Sequence, residues 1–198
     1  MLLQPALRRA QEVPNSPALD AAIKLLREVV PIEPQTTQAL SDVASTNGGQ
    51  LLGLQYRVKN LDSLARKIEP DLTIIPNDAL RYIMSFNETN FTIGVASAME
   101  NLQAQGYQQI ALRNSFKFGQ PYPGINTNYL TPEGQVFELQ FHTPSSFYMK
   151  DAINHHLYEQ QRLLPDLHPQ REILREQMIQ NSAAVPIPPG VSTIKKAR

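Results

Sequence analysis

Cysteine and tryptophan are both absent from this 198-residue chain, and neither sign of charge is in excess. Without cysteine the chain has no disulfide bonds, thiolate metal sites or cysteine nucleophiles, which fits a protein of a reducing compartment. The 18 Lys plus Arg residues balance the 18 Asp plus Glu residues. No global field therefore favours nucleic acid or a membrane surface, and any basic site must be local.

Long apolar runs are also missing from the sequence. No segment approaches the ~18 consecutive apolar residues of a membrane-spanning helix. The N-terminus lacks the pattern of a cleavable signal peptide, because Arg8 and Arg9 follow only a short apolar stretch. We therefore expect no membrane insertion, and either a cytoplasmic location or secretion that needs no cleavable signal. The hydrophobic share of 41% is enough for a core, and the length predicts one domain with room for a terminal extension.

Proline and glycine divide the chain into helices and strands. Apolar residues at helical spacing predict helices at residues 17–30, 34–44, 50–68, 91–105, 144–163 and 169–183. Shorter apolar runs predict strands at residues 72–75, 80–86 and 108–115, followed by a hairpin. The proline-rich end after residue 184 predicts an extended or disordered tail. This order predicts an α+β fold with a mixed, largely antiparallel sheet flanked by helices.

The predicted hairpin, residues 122–143, carries polar side chains on one face. Its second arm alternates apolar residues with Glu138, Gln140 and His142, and alternation sends the two sets to opposite faces of a strand. The sequence from Thr131 to Gly134 is typical of a type I turn. On the first arm the polar face carries the residues Tyr122, Gly124, Asn126 and Asn128. A ring, bare backbone and amides suit a planar polar ligand, although one face of such a hairpin often simply meets water.

A basic helix face precedes the hairpin. Lys59, Ser63, Arg66 and Lys67 recur at helical spacing opposite an apolar stripe, with Arg57 at its border. Such a face would attract phosphates through charge-assisted hydrogen bonds, whereas a solvated helix surface is the more ordinary explanation of a charge cluster.

Asp78 stands at the start of a predicted strand. A carboxylate there is most often a turn residue. With Glu138 on the same sheet, however, Asp78 could form the two-carboxylate site that Mg²⁺ favours when substrate phosphates fill its other positions.

The order of these blocks resembles the synthetase domain of RelA/SpoT-type alarmone synthetases. The resemblance covers about residues 50–145 and depends on four blocks in the right order. They are Arg57-x-Lys59-x-x-x-Ser63-x-x-x-Lys67, then Asp78, then Tyr122-x-Gly124-Ile125-Asn126-Thr127, then Glu138-x-Gln140-x-His142-Thr143. Residues 137–162 also resemble catalytic modules at the C-termini of bacterial polymorphic toxins and translocated effectors.

The resemblance implies a Mg²⁺-dependent transferase that moves pyrophosphate from ATP to a ribose hydroxyl of a nucleotide or RNA. It implies a transferase core at residues 50–165, between an N-terminal helical segment (1–49) and a C-terminal helix with a flexible tail (166–198). Its implied donor-binding residues are Arg57, Lys59, Ser63 and Lys67. Asp78 and Glu138 would hold Mg²⁺. Tyr122 would stack on the acceptor base, Glu138 or Gln140 would orient its hydroxyl, and Asn126 and His142 would contact the acceptor. A toxin would also have an immunity protein as partner.

Three departures from the family pattern concern the acceptor side. Pro121 stands where the family has glycine, Asn126 where it has histidine, and His142 where it has arginine. The acceptor therefore need not be a free guanine nucleotide. We expect no alarmone hydrolysis. Two alternatives stay open: an ADP-ribosyltransferase-like toxin that uses NAD, and a non-catalytic nucleotide-binding module. We expect a structural or capping role for His155 and His156, because neighbouring helical side chains point in different directions.

Overall fold

The computed structural model describes residues 16–196, so part of the predicted N-terminal segment and the last residues of the tail lie outside it. Five strands form one sheet: β1 Gln50–Leu52, β2 Arg81–Ser85, β3 Gln108–Asn114, β4 Ile125–Leu130 and β5 Val136–His142. Their order is β1-β2-β5-β4-β3. β2 and β5 run parallel, and every other neighbouring pair is antiparallel. The predicted mixed, largely antiparallel sheet is therefore confirmed.

Seven α-helices surround this sheet within the described residues. They are α1 Pro17–Val29, α2 Glu33–Thr46, α3 Leu61–Ile68, α4 Phe91–Ala104, α5 Pro144–Tyr148, α6 His155–Leu163 and α7 Gln170–Ser182. Local sequence explains several of their starts. Ser16 caps α1 by accepting a 3.1 Å hydrogen bond from the Leu19 amide. Asn60 caps α3 in the same way, and Thr143 begins α5 with a capping box. In the described residues, no helix is long and apolar enough to cross a bilayer.

Strand alternation separates an apolar face from a polar face of the sheet. Tyr82, Phe137, Leu139 and Phe141 are fully buried in the core beneath the helices. Phe137 stacks on Tyr129, with ring centroids 5.7 Å apart. Burying each such side chain is worth about 1.5–3 kcal/mol. Because this face is fixed by packing, the residues between these positions must lie on the opposite face.

One apolar core joins the first helices, the sheet and the C-terminal segment. It includes Leu26 of α1, Phe141 of β5 and Val191 near the C-terminus. The division of the chain into segments at residues 49 and 165 stays a prediction. In the described residues, the core includes side chains from both sides of each of these positions.

The prediction of one helix over residues 50–68 is wrong, because the first part pairs with the sheet. Gln50–Leu52 is antiparallel to β2. Gly53 then adopts a left-handed φ of 64°, a 3₁₀ turn follows at Leu54–Tyr56, and α3 begins only at Leu61. Residues 72–75, predicted as a strand, form a loop in which Leu72 and Ile75 are exposed. Cross-strand pairing in the first case, and its absence in the second, decides these outcomes over local propensity.

Two predictions near the C-terminus also differ from the structure. The helix predicted over residues 144–163 is interrupted by a π-helical turn at Met149–Ile153. The tail predicted as extended or disordered has a 3₁₀ turn at Val191–Thr193, and both Val191 and Ile194 are buried. Asn114 donates a 2.8 Å hydrogen bond to the Val191 carbonyl. Apolar burial and hydrogen bonding therefore hold the described part of the tail against the core.

Candidate functional site

The polar face of the sheet brings residues from three strands together. Glu138 lies in register with Arg81 of β2 and Asn128 of β4. Gln140 lies in register with Asn126. The hairpin and its predicted turn are both present, since the Gly134 amide donates a 2.9 Å hydrogen bond to the Thr131 carbonyl. The stripe of polar residues predicted from alternation therefore exists as one surface.

Glu138 lies at the centre of this surface. Burial raises the pKa of its carboxyl above the ordinary value, while a hydrogen bond from Gln140 and the positive charge of Arg81 oppose that rise. The Asn126 amide nitrogen donates to Glu138 Oε1 over 3.4 Å. A carboxylate whose pKa is raised by burial is a better proton acceptor than an ordinary carboxylate.

The two amides beside Glu138 leave acceptor atoms without partners. Asn126 Oδ1 and Gln140 Oε1 are buried and have no hydrogen-bond partner among residues 16–196. Leaving a buried acceptor unsatisfied costs about 1–3 kcal/mol. Both amides direct their NH₂ groups to Glu138, which leaves the two oxygens without a donor among the described residues.

Lys59 and Lys67 converge on Asp78. Lys59 Nζ forms an ion pair with Asp78 Oδ2, and Lys67 Nζ lies 2.8 Å from Oδ1. Burial alone would raise the pKa of Asp78, but the hydrogen bonds and charges of the two lysines outweigh it and hold the pKa below the usual value. Asp78 is therefore ionised near neutral pH, and it holds both ammonium groups in place.

Asp78 and Lys67 line a cleft with a volume of about 340 Å³. Its lining joins Lys67, Asp78, Asn128 and Glu138 with the loop that precedes β2, including Ile74 and Ile75. Both predicted metal ligands and one predicted donor-binding lysine therefore face the same space.

The carboxylates suit Mg²⁺ held jointly with a phosphate chain. Mg²⁺ is commonly bound by one or two carboxylates, with waters and substrate phosphates completing its shell. Among residues 16–196, no group of three or more His, Cys, Asp and Glu side chains could form an all-protein metal cage. Asp78 and Glu138 line one cleft together with Lys67, so two carboxylates and a cation face the same space.

Three predicted donor-binding residues, Arg57, Lys59 and Ser63, are not among the residues that line this cleft. Arg57 pairs with Glu33 of α2 and donates a 2.6 Å hydrogen bond to the Leu54 carbonyl. The Ser63 hydroxyl accepts a 3.2 Å hydrogen bond from Arg66 on the exposed side of α3. Arg57 therefore links the segment before α3 to α2 through Glu33. The hydrogen bond of the Ser63 hydroxyl is made with Arg66 rather than with Asp78.

Tyr122 and His142 form a buried pair at the other end of the polar face. The Tyr122 hydroxyl and His142 Nε2 share a 2.7 Å hydrogen bond, and Nδ1 lies 2.9 Å from the Ser146 hydroxyl. Burial, with the charge of Lys150 as a smaller cause, lowers the pKa of His142 to about 3. His142 is fully buried and therefore neutral, and Tyr122 as a residue is half-buried.

Gly124 makes this pairing possible. A Cβ added there would lie 2.7 Å from an atom of each ring. The Tyr122 hydroxyl and His142 are thereby joined by a hydrogen bond. The predicted contacts of Tyr122 and His142 with an acceptor stay predictions.

The predicted site residues did not include three cations near this face. Arg81 neighbours Glu138 through the parallel β2–β5 pairing, and Arg113 lies in register with Asn126. Lys150 approaches from the π-helical turn, with Nζ 5.5 Å from the centre of the Phe147 ring. Alternation within β2 could have placed Arg81 on a polar face, but no sequence signal identified its partner strand or the π-helical turn.

Comparison with protein-family models and with curated proteins gives no match. Solved structures do match. The type VI effector Tas1, known from a crystal structure with its immunity protein, gives a TM-score of 0.61 at 18% identity, over 81% of this chain and 94% of that chain. The small alarmone synthetase 1 from Bacillus subtilis gives 0.54 at 16% identity, over 81% and 85%. A GTP pyrophosphokinase family protein from Streptococcus pneumoniae gives 0.50 at 16% identity, over 80% and 82%.

These similarities cover the helices and the sheet rather than one motif, since each spans about four-fifths of the chain. At such low identities the common feature is the fold. The chain therefore has the fold of the RelA/SpoT-type alarmone synthetases and of the type VI effector Tas1, as the resemblance of its sequence blocks predicted.

Proposed function

We propose that this protein is a Mg²⁺-dependent transferase that moves the pyrophosphate of ATP to a ribose hydroxyl of a nucleotide or RNA acceptor. The observation that carries the proposal is the cleft in which Lys67, Asp78 and Glu138 lie together. Its position on an alarmone-synthetase fold supports the same conclusion.

The two lysines paired with Asp78 would supply the donor site. Lys59 and Lys67 now neutralise Asp78, and both are free to exchange that partner for phosphate oxygens of ATP. Asp78 and Glu138 would hold Mg²⁺, which when bound neutralises charge on the phosphate oxygens. Lys67 is the more accessible of the two lysines, with 45% of its side chain exposed, so we expect it to meet the triphosphate first.

Glu138 is the proposed proton acceptor. The acceptor hydroxyl oxygen forms a bond to the β-phosphorus of ATP, the bond from that phosphorus to the α,β-bridging oxygen breaks, and AMP leaves. The hydroxyl proton passes to Glu138, whose pKa is raised by burial. The unpartnered oxygen of Gln140 can hold a second donor of the acceptor in place. Positioning and charge neutralisation therefore account for catalysis, and no nucleophilic side chain is required.

The direct test is incubation of the protein with γ-labelled ATP, Mg²⁺ and a panel of adenine and guanine nucleotides and RNA. We expect a labelled product with at least one acceptor, release of AMP, and loss of both with Glu138→Gln, whose fold should persist. Lys24→Met, on the exposed face of α1, is the matched control. The proposal fails if no acceptor is labelled by the wild-type protein. Labelling of protein or RNA from NAD would favour the ADP-ribosyltransferase alternative, and ATP binding without transfer would favour the non-catalytic module.

Delivery to a target cell as an effector is part of the proposal. It is supported by the likeness to Tas1, which was crystallised with its immunity protein, and it implies an immunity protein as partner of this chain. Expression in the bacterial cytoplasm should arrest growth with the wild-type chain and spare it with Glu138→Gln. Equal growth of the two strains at equal protein levels would contradict a toxic role.

A further inference from the structure

Both carboxylate oxygens of Asp78 are engaged by ammonium groups. Lys59 Nζ pairs with Oδ2, and Lys67 Nζ lies 2.8 Å from Oδ1. Only 17% of the Asp78 side chain is exposed. These three side chains form what we call the Lys–Asp–Lys cluster. A further cation that approaches Asp78 therefore meets an ammonium group at each oxygen.

Backbone contacts fix the positions from which the cluster is built. The Lys59 amide donates a 3.0 Å hydrogen bond to the Ala79 carbonyl, so the segments that carry Lys59 and Asp78 lie side by side. Lys67 lies in the last turn of α3, and the next residue, Ile68, is buried in the core. Because these backbones are held, a change of partner must come from the two long lysine side chains.

The cluster is a poor site for a free divalent cation. Like charges repel, and in a partly buried site this repulsion is stronger than in water. Mg²⁺ also gives up its bound waters reluctantly. To reach Asp78, the cation would have to displace at least one lysine while offering that lysine no anion in return.

A phosphate chain removes this obstacle. Its oxygens accept charge-assisted hydrogen bonds from ammonium groups. Lys67 is the more accessible lysine, since 45% of its side chain is exposed, against 21% for Lys59. Transfer of the lysines to phosphate would leave Asp78 as a mostly buried carboxylate without a partner, which is unfavourable. A divalent cation carried by the phosphate chain restores the charge balance at Asp78, and Glu138 lines the same cleft.

We propose that the Lys–Asp–Lys cluster excludes free divalent cations and admits Mg²⁺ only together with a phosphate chain that takes over the lysines. Asp78 is thus a positioning residue for Lys59 and Lys67 before the donor binds, and a metal ligand afterwards. The proposal rests on the proposed function, which assigns ATP and Mg²⁺ to this cleft. It adds the condition under which the metal binds.

Metal binding without nucleotide gives the direct test. Mn²⁺ replaces Mg²⁺ as the probe, because the electron paramagnetic resonance signal of free Mn²⁺ reports how much is bound. We expect the wild-type protein to bind Mn²⁺ no better than Asp78→Asn does. Lys67→Met frees Oδ1 of Asp78 and should raise the affinity for Mn²⁺ about 10-fold or more. The double variant Lys67→Met/Asp78→Asn should lose this gain.

A matched control separates direct contact from overall charge. Arg66 precedes Lys67 on α3 and is exposed, but its guanidinium donates to the Ser63 hydroxyl over 3.2 Å. Arg66→Met therefore removes the same charge without freeing Asp78, and its affinity for Mn²⁺ should stay near that of the wild type. Urea unfolding with and without Mn²⁺ checks that each variant is folded. Among the wild type and these variants, Mn²⁺ should stabilise only Lys67→Met.

Several results would overturn the proposal. One is Mn²⁺ binding by the nucleotide-free wild-type protein at the affinity of Lys67→Met. Others are an equal gain in Arg66→Met, a gain that persists in the double variant, and a folded Lys67→Met protein that gains nothing. Transfer from labelled ATP is scored separately. A gain that depends on Asp78 in a protein that transfers nothing would refute the proposed function and leave the role of the cluster standing, whereas transfer without that gain would do the reverse.

Discussion

Single residues determine how the acceptor end of the site is built. His142 sits at a position where alternation predicted a polar side chain, but it is fully buried, with the Tyr122 ring edge-on at 5.3 Å between ring centres. Its two ring nitrogens are used by Tyr122 and Ser146. A neutral imidazole with both nitrogens bonded is well placed to fix the tyrosine ring, because the ring cannot rotate away without breaking a buried hydrogen bond.

At the residue scale, we predict that His142 makes stability depend on pH. Burial lowers its folded pKa to about 3 from the ordinary 6.5. Between these values the unfolded chain binds a proton that the folded chain excludes, so stability is fully present above 6.5 and falls as the pH falls. The contribution is about 1.4 kcal/mol per pH unit within that window.

Urea unfolding at pH 7, 6, 5 and 4 measures this dependence. We expect His142→Gln to be less stable at pH 7 yet to lose less stability on acidification than the wild-type protein. His156→Gln, at an exposed position of α6, is the control and should follow the wild type. Parallel curves for wild type and His142→Gln would contradict the buried neutral imidazole.

At the scale of elements, two connections hold the site. The ion pair of Arg57 with Glu33 holds the segment between β1 and α3 to α2. The Thr37 hydroxyl donates to the Glu33 carboxylate, and the Tyr82 hydroxyl donates to the Glu33 backbone carbonyl. The π-helical turn is held to α7 by Asn154. Each connection ties a loop that carries site residues to a helix outside the sheet.

The first connection predicts different roles for Arg57 and Lys67. Arg57→Met should lower the free energy of unfolding by about 1–3 kcal/mol, less than for a fully buried pair, because Glu33 loses its partner. The affinity of the Arg57→Met variant for ATP should change little. Lys67→Met, whose side chain is 45% exposed, should weaken ATP binding and leave stability nearly unchanged. Urea unfolding and ATP titration of both variants provide the measurement, and a large loss of ATP affinity in a stable Arg57→Met protein would return Arg57 to the donor site.

The second connection predicts that Asn154 supports both stability and the Tyr122 loop. Asn154→Ala removes buried hydrogen bonds to Pro121, Met178 and Ser182, so we expect a loss of about 2 kcal/mol or more. Asn87→Ala, at an exposed position after β2, is the matched control. Chemical unfolding compares the variants, and equal stability of the two would show that water replaces Asn154 without cost.

At the scale of the whole molecule, one core supports two ends of one polar face. The parallel β2–β5 pair places the loop with Asp78 beside Glu138, while the antiparallel β4–β5 pair places Asn126 and Asn128 on the other side. The cleft therefore depends on β2, β4 and β5 together. Ligand binding in the cleft should stabilise the folded state as a unit.

We predict that ATP and Mg²⁺ together raise the free energy of unfolding by about 2.7 kcal/mol when ATP is at 100 times its dissociation constant. Asp78→Asn should retain part of the effect of ATP alone but lose the additional effect of Mg²⁺, because it removes a proposed ligand. Unfolding curves with ATP, Mg²⁺, both, and both with EDTA measure the four cases, with Lys24→Met as control. An effect of ATP on the wild-type protein that EDTA leaves unchanged would exclude Mg²⁺ from the complex.

Much of this architecture could be predicted from local sequence. Ser16 and Pro17 predicted the start of α1, and the alternation around Glu138 predicted both faces of β5. The helix predicted over residues 50–68 failed because Gln50–Leu52 pairs with a strand about 30 residues away. The prediction of an uninterrupted helix over residues 144–163 was wrong because the π-helical turn is held by Asn154. The side chain of Asn154 bonds to residues 33, 24 and 28 positions away.

By itself, the sequence determined the α+β class, the hairpin, the order of the family blocks and the candidate residues Asp78 and Glu138, because these follow from local periodicity and spacing. Tertiary structure alone decided that Lys59 and Lys67 meet at Asp78, that Arg57 turns to Glu33, and that Lys150 joins Arg81 near Tyr122. The reason is physical: side-chain direction along one strand or helix is set locally, whereas the partner of a charge depends on which distant segments the core brings together.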